Sequence, residues 1–242
     1  MAAHRRKQAP DAERTQASGR QLASSSGDIL ELLGISPSAA RVLRYFAVHP
    51  DADAHGRQLQ RELGVGSASL QRDLERLAAL GSLERVREAR LVRYRPVAAS
   101  RLWQAVQLLL RESPDIAPLV RDALRTVPGV DSAFIFGSTA EGAATAESDI
   151  DLFVVEAPSL DRRALNCQLF QLGLVLDRQV NAVRYTPQSL GERLGDPDHP
   201  AHRFTRAVLG GPKRWVAGSP HTISALAAAA GIPMPDAPAA AA

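Results

Sequence analysis

Apolar residues follow a helical period through the first half of the chain and a strand period at several places in the second. Within residues 37–48, Ala40, Leu43 and Phe46 share one helical face, as Leu59 and Leu63 do within residues 55–63. Gly64-Val65-Gly66 then makes a tight turn. Ser67 and Ser69 are candidate caps for a third helix, in which Leu70, Leu74, Leu77 and Leu80 repeat at helical spacing and which Gly81 stops. Its opposite face shows Ser67, Ser69, Gln71, Arg72 and Arg76. Two β runs follow, 83–87 and 91–95, joined by a short polar turn at Glu88 and Ala89. Residues 101–112 form an amphipathic helix with the stripe Leu102, Val106, Leu109 and Leu110 and with Trp103 beside it.

Beyond it, residues 116–127 read as a helix ended by Pro128-Gly129, and Ala133-Phe134-Ile135-Phe136 as a buried strand that stops at Gly137-Ser138. Asp149-Ile150-Asp151 opens a second buried strand, 152–155. A helix over 161–176 is expected, with Cys167 in its core-facing part, and then a strand over 179–185. A later amphipathic helix places Phe204, Val208 and Leu209 inward, with Arg203 and Arg206 on a solvated face, and residues 225–242 read as a short helix followed by disorder. These patterns divide the chain into a disordered tail (1–27), a helical and hairpin unit (28–98), a linker helix (99–114), an α/β unit (115–219) and an Ala/Pro-rich tail (220–242).

Charge narrows the choice of partners. The formal charge is +3, from 29 basic and 26 acidic residues, but residues 1–20 hold five of the bases and two of the acids. The remaining residues are balanced, so a nucleic-acid surface must be a local patch rather than a property of the whole chain. A single cysteine permits no internal disulfide, no run is long enough to span a membrane, and no signal-peptide core is present, so a cytoplasmic protein without a membrane partner is expected.

Three helices with a glycine-containing turn, followed by a hairpin, is the order of a winged helix-turn-helix. Residues 55–96 resemble winged-helix regulators of the arsenic-repressor and multiple-antibiotic-resistance-repressor types. The resemblance implies a transcription regulator that binds double-stranded DNA. The third helix would enter the major groove with Ser67, Ser69, Gln71 and Arg72 near base edges and Arg76 on the same face, while Arg85, Arg87, Arg90, Arg93 and Arg95 reach phosphates. The other reading of these residues is a solvated helix face and a charged hairpin that contacts protein. The 101–112 helix offers a surface for a homodimer on two half-sites.

The chemistry-bearing residues lie between 137 and 181. Gly137 lets the backbone approach a triphosphate, and Ser138, with the N–H groups that open the next helix, can bind phosphate oxygens. Asp149 and Asp151 are two apart on a strand, so both carboxylates share one face while Ile150 points to the core. Two carboxylates facing a triphosphate suit Mg²⁺. Strand, Gly-Ser, short helix and Asp-x-Asp on a strand resemble the polymerase-β type nucleotidyltransferase superfamily, in its minimal branch, over roughly residues 115–219. The implied fold is α+β: an N-terminal winged helix-turn-helix plus a C-terminal nucleotidyltransferase domain with a mixed sheet and flanking helices.

The resemblance also implies a third carboxylate on the neighbouring strand, as metal ligand or general base. Here the matching position is Asn181, an amide that cannot take up a proton at neutral pH. Asp177 lies about 13 Å back along an extended strand and does not replace it. Glu141 stands where relatives often carry Arg or Lys. His199 and His202 have no further Cys or His at zinc spacing and suit a surface or capping role. Two functions follow: Mg²⁺-dependent transfer of an NMP group from an NTP to a protein or RNA hydroxyl, in a toxin–antitoxin or regulatory setting, or a transcriptional regulator whose nucleotidyltransferase domain is catalytically inactive and senses a nucleotide or partner.

Overall fold

The computed structural model describes residues 28–88, 91–145 and 148–234. The tail over 1–27, the end of the chain from 235 and Arg90 therefore lie outside the described residues. A short helix α1 (Ile29–Leu32) leads into α2 (Pro37–Val48), where the Ser36 hydroxyl accepts from the Ala39 N–H at 3.2 Å and Pro37 fits the first turn. Strand β1 (Ala54–His55) and helix α3 (Gly56–Leu63) follow, and α3 ends on Gly64 in the left-handed conformation. Helix α4 (Ser67–Ala79) and the hairpin β2 (Leu83–Glu88) and β3 (Leu91–Pro96) complete this unit, with β1 pairing on the free edge of β3.

Helix α5 (Arg101–Arg111) links to α6 (Ala117–Arg125), β4 (Val130–Phe136), the one-turn helix α7 (Ser138–Glu141), β5 (Ile150–Glu156), α8 (Arg162–Leu176) and β6 (Val180–Tyr185). Helices α9 (Pro187–Gly195) and α10 (His202–Gly210), strand β7 (Arg214–Gly218) and helix α11 (His221–Ala229) end the described fold. The four strands form a mixed sheet in the order β6-β5-β4-β7, with β5 and β6 parallel and the other neighbours antiparallel. Strand alternation sorts its side chains between two cores. Ala133, Ile135, Leu152 and Val154 join α6, α8 and the winged-helix leucines in one continuous cluster. Phe134, Phe136, Phe153, Val155 and Tyr185 face α9, α10 and α11 on the other side.

Five expectations change. Gly66, not Ser67 or Ser69, caps α4: Ser67 is already helical, and the Ser69 hydroxyl donates to the Gly66 carbonyl. Leu80 falls in the cap beyond the last turn and is 56% exposed. On α5 the inward stripe is Trp103, Val106 and Leu110, which leaves Leu102 exposed and Leu109 half-buried. Cys167 is exposed, because the buried stripe of α8 runs through Leu165, Leu169, Leu172 and Leu176 and position 167 lies on the far side of the helix. Phe204 is likewise exposed, and Thr205 takes the inward place on α10.

The winged helix and the sheet unit are joined by buried polar contacts as well as by the shared core. The Arg44 guanidinium of α2 is buried between the Asp28 and Asp122 carboxylates, and Asp122 belongs to α6. Arg125, at the end of α6, and Arg41 of α2 both donate to the Leu63 carbonyl at the end of α3, at 2.9 and 3.1 Å. His49 stacks on Tyr45, with Nδ1 2.8 Å from the Tyr45 carbonyl and Nε2 3.2 Å from the Thr126 hydroxyl beyond α6. Burial holds the His49 pKa below its ordinary value, against the Tyr45 hydrogen bond and the charge of Glu62.

Asp122→Ala is expected to cost about 3 kcal/mol or more of unfolding free energy, because it strips one carboxylate from a buried guanidinium. A shift in the urea midpoint equivalent to less than about 1 kcal/mol, the size of an exposed pair, would contradict this. The unfolded chain binds a proton at His49 near the ordinary histidine pKa, while the folded chain resists doing so. Stability should therefore fall as pH drops below about 6.5, and His49→Gln should flatten that part of the profile in urea titrations across this window.

Candidate nucleotide site and DNA-binding face

Three features of the chain converge at one end of the mixed sheet. Strand β4 ends in Gly137, whose positive φ of 69° turns the chain into α7. A Cβ at this glycine would lie 2.9 Å from Asp151 Oδ2, so the absence of a side chain gives the carboxylate its seat beside the turn. Ser138 opens α7 half-buried, and the Ala140 and Glu141 N–H groups both turn back to the Gly137 carbonyl. Glu141 is exposed at the end of this turn.

Asp149 immediately precedes β5, and Asp151 lies within it, with Ile150 fully buried between them. The Ser148 hydroxyl accepts from the Thr145 N–H at 2.9 Å and closes the preceding turn. Because β6 runs parallel to β5, Asn181 pairs in register with Asp151 and projects to the same face. Its Nδ2 donates to Asp149 Oδ2 at 3.2 Å, and its Oδ1 accepts from Gln179 Nε2 at 3.0 Å. An ionised carboxylate only accepts, so the Asn181 amide must present its NH₂ to Asp149. Asn181 thus offers a donor where a carboxylate would offer an acceptor. Among the described residues no three His, Cys, Asp or Glu side chains gather to hold a metal ion.

Two residues here go beyond the sequence reading. Gln179 shares strand parity with Asn181, a signal that alternation carries. Arg178 gave no such signal. It sits between α8 and β6, and the pairing of Ile150 with Val180 lays it beside Ser148. Its Nε donates to the Ser148 carbonyl, and its Nη2 lies 3.2 Å from the Thr139 hydroxyl and 3.3 Å from the Asp149 carbonyl. Burial lowers its pKa, and the negative charge of Asp149 opposes that shift. His199 and His202 take local roles: His199 Nδ1 accepts from the Ala201 N–H, and His202 Nδ1 lies 2.9 Å from the Arg193 carbonyl.

At the other end of the molecule, α4 exposes Ser67, Gln71, Arg72 and Arg76, with Ser69 half-buried. Gln71 donates to Glu75 and Arg72 to the Ala68 carbonyl. Antiparallel register sorts the described hairpin arginines onto two faces. Arg85 and Arg87 stand opposite Tyr94 and Val92, whereas Arg93 and Arg95 lie opposite Val86 and Glu84. Arg93 pairs with Asp53 and Glu88 at 3.6 and 3.4 Å, and Arg95 pairs with Glu84 at 2.9 Å. A groove between α2 and α4 adds Ser36 and Arg41 to the Arg72 and Arg76 side.

Gly137→Ala should destabilise the fold by roughly 1–2 kcal/mol, since it combines a left-handed backbone with a Cβ against Asp151. Thermal unfolding of the variant checks this, and an unchanged midpoint would mean that the turn can relax away from Asp151.

Two family models match parts of the chain. Residues 118–203 match the nucleotidyltransferase domain family, and residues 33–90 match the MarR family. No curated protein matches the chain. Among solved structures, part of the chain is similar to a toxin–antitoxin with AMP-PNP (21% identity, TM-score 0.35) and to a mutant of the toxin–antitoxin MntA-HpeT (19% identity, TM-score 0.35). Each covers 47% of this chain and 82% of its own. Among the described residues no helix is long and apolar enough to cross a membrane. With both family matches falling where the helix-turn-helix pattern and the Gly-Ser and Asp-x-Asp turns lie, the chain joins a MarR-like winged-helix region to a nucleotidyltransferase domain with a mixed sheet.

Proposed function

We propose that this protein is a cytoplasmic DNA-binding regulator whose nucleotidyltransferase domain binds an NTP with Mg²⁺ and senses it rather than transferring it. One observation carries the reading: the third position of the acidic site is Asn181, whose amide donates to Asp149 and whose carbonyl is already engaged by Gln179. A hydroxyl acceptor needs a group that takes its proton, and an amide supplies none.

The donor set fits a magnesium ion. Asp149 and Asp151 share a face, and the bare Cα of Gly137 leaves room at Asp151. Mg²⁺ commonly binds through one or two carboxylates together with substrate phosphates. When bound, the ion would neutralise phosphate charge. The chain's own part is to hold Asp151 beside the Gly137 turn, to fix the Asp149 carboxylate through Asn181, and to offer Ser138 to the phosphates.

The exposed polar face of α4 and the arginines Arg85 and Arg87, which have no acidic partner among the described residues, support double-stranded DNA as the other ligand. Arg93 and Arg95 start from pairs with acids and contribute less, because those pairs must open to meet phosphate. Exposed Leu102 and Leu108 on α5 suit a second copy of the chain on a two-half-site operator.

The retained Asp149 and Asp151 pair favours a second reading, NMP transfer to a protein or RNA hydroxyl in a toxin–antitoxin or regulatory pairing. Incubation with each NTP labelled at the α-phosphate, Mg²⁺ and host lysate separates the two. The sensing protein leaves acceptors unlabelled, and Asn181→Asp should raise labelling or slow NTP hydrolysis by about 10²–10⁴-fold, the gain from a positioned base. Substantial labelling by the native protein, unchanged in Asn181→Asp, overturns the sensing reading. For the DNA face, Arg85→Ala with Arg87→Ala should shallow the slope of log affinity against log salt by about two. Gel shifts that show no salt-dependent DNA complex for the native chain would remove the DNA-binding reading.

A further inference from the structure

We infer that Arg178 is the cationic element of the nucleotide site, and that its charge, not only its hydrogen bonds, selects a triphosphate. The inference rests on the nucleotide-binding reading above and names the residue that makes it electrostatically tenable. Asp149 and Asp151 present two carboxylates to a ligand that is itself strongly anionic, and position 141 on the adjoining turn is a further acid, Glu141. A divalent cation offsets only part of this repulsion. A fixed positive charge is needed beside the phosphates, and position 141 does not provide it.

Arg178 is built into that place from several directions. Its backbone N–H donates to the Gly173 carbonyl at 3.1 Å, and a Cβ at Gly173 would lie 2.9 Å from the Arg178 carbonyl, so α8 accommodates this segment only with a glycine there. Asp177 before it adopts a left-handed conformation with φ of 54°, which turns the chain from α8 into β6. The guanidinium then reaches both loops of the site: Thr139 after the Gly137-Ser138 turn, and the Ser148 and Asp149 carbonyls before β5.

All of these partners are neutral oxygens. Among the described residues no carboxylate lies within ion-pair distance of Arg178; the half-buried Arg41 and Arg206 are alike in this, but their carbonyl partners, Leu63 and Ala230, lie outside the nucleotide site. A partly desolvated guanidinium that feels the Asp149 charge but has no ion-paired carboxylate among the described residues is stabilised by an incoming anion. The two loops that the guanidinium joins are those that present Ser138 and Asp149, so the anion that completes it is the phosphate chain of the nucleotide. Arg178 therefore does from the β6 side what a basic residue at 141 would do from α7.

The test separates charge from bracing. Calorimetry in Mg²⁺ compares each NTP with its matching nucleoside for the native full-length chain, Arg178→Lys and Arg178→Gln, with thermal midpoints checking that each variant folds. Lysine keeps the charge, and glutamine keeps a hydrogen-bond donor without it. Native preference for triphosphate over nucleoside should fall by at least about tenfold in Arg178→Gln and survive largely in Arg178→Lys, with nucleoside affinity unchanged in both. Triphosphate affinity within about twofold of native in Arg178→Gln overturns the inference. Equal losses for triphosphate and nucleoside in both variants also overturn it, because they show a brace for the loops and nothing more. If the native chain itself takes up no NTP, the nucleotide-binding reading fails and the inference falls with it.

Discussion

The Arg44 guanidinium is a buried charge at the junction where the winged helix and the sheet unit share one core. It lies buried on α2 between Asp28 at the start of the described chain and Asp122 on α6. Burying three charged groups is costly, and apolar side chains of equal volume would stabilise the core as well or better. The triad ties α2 to α6 through the Arg44–Asp122 pair. Around it the apolar cluster runs without a break from the winged-helix leucines to Ile135 and Leu152 of the sheet.

Helix α6 also reaches the turn of the helix-turn-helix. Arg125 at the end of α6 donates to the Leu63 carbonyl, the last residue of α3, next to the Gly64-Val65-Gly66 turn that starts α4. Beyond α6 the chain passes through Gly129 into β4 and on to Gly137. The Leu63 carbonyl at the turn of the helix-turn-helix and the glycine that seats Asp151 thus lie at the two ends of the segment that begins with Arg125 and runs through β4.

At the site, chemistry is set by what each group does with its hydrogen bonds. Asp149 is held by an amide, Asp151 sits beside a glycine, and Arg178 has only neutral partners among the described residues. A ligand that brings its own negative charge and shares a cation with two carboxylates completes all three.

The sequence by itself determined most of the elements, because they are short-range consequences of period and capping. The apolar spacing over α2, α3 and α4, the glycine at the α3 end and the strand alternation of β4 and β5 are local, and Asp149 and Asp151 share a face for the same reason. Asn181 was legible as the vacant acidic position by resemblance, but not the direction of its amide. Local pattern also misplaced side chains at helix ends and margins: Leu80 fell beyond the last turn, and Cys167 and Phe204 pointed outward because the buried stripe passes one or two residues away. Tertiary structure alone decided the rest. The sorting of the hairpin arginines follows from antiparallel register, the Arg44 triad joins residues 78 positions apart, and Arg178 meets Thr139 across 39 residues only because β6 lies parallel to β5. Such contacts depend on strand order and crossover, which no local period encodes.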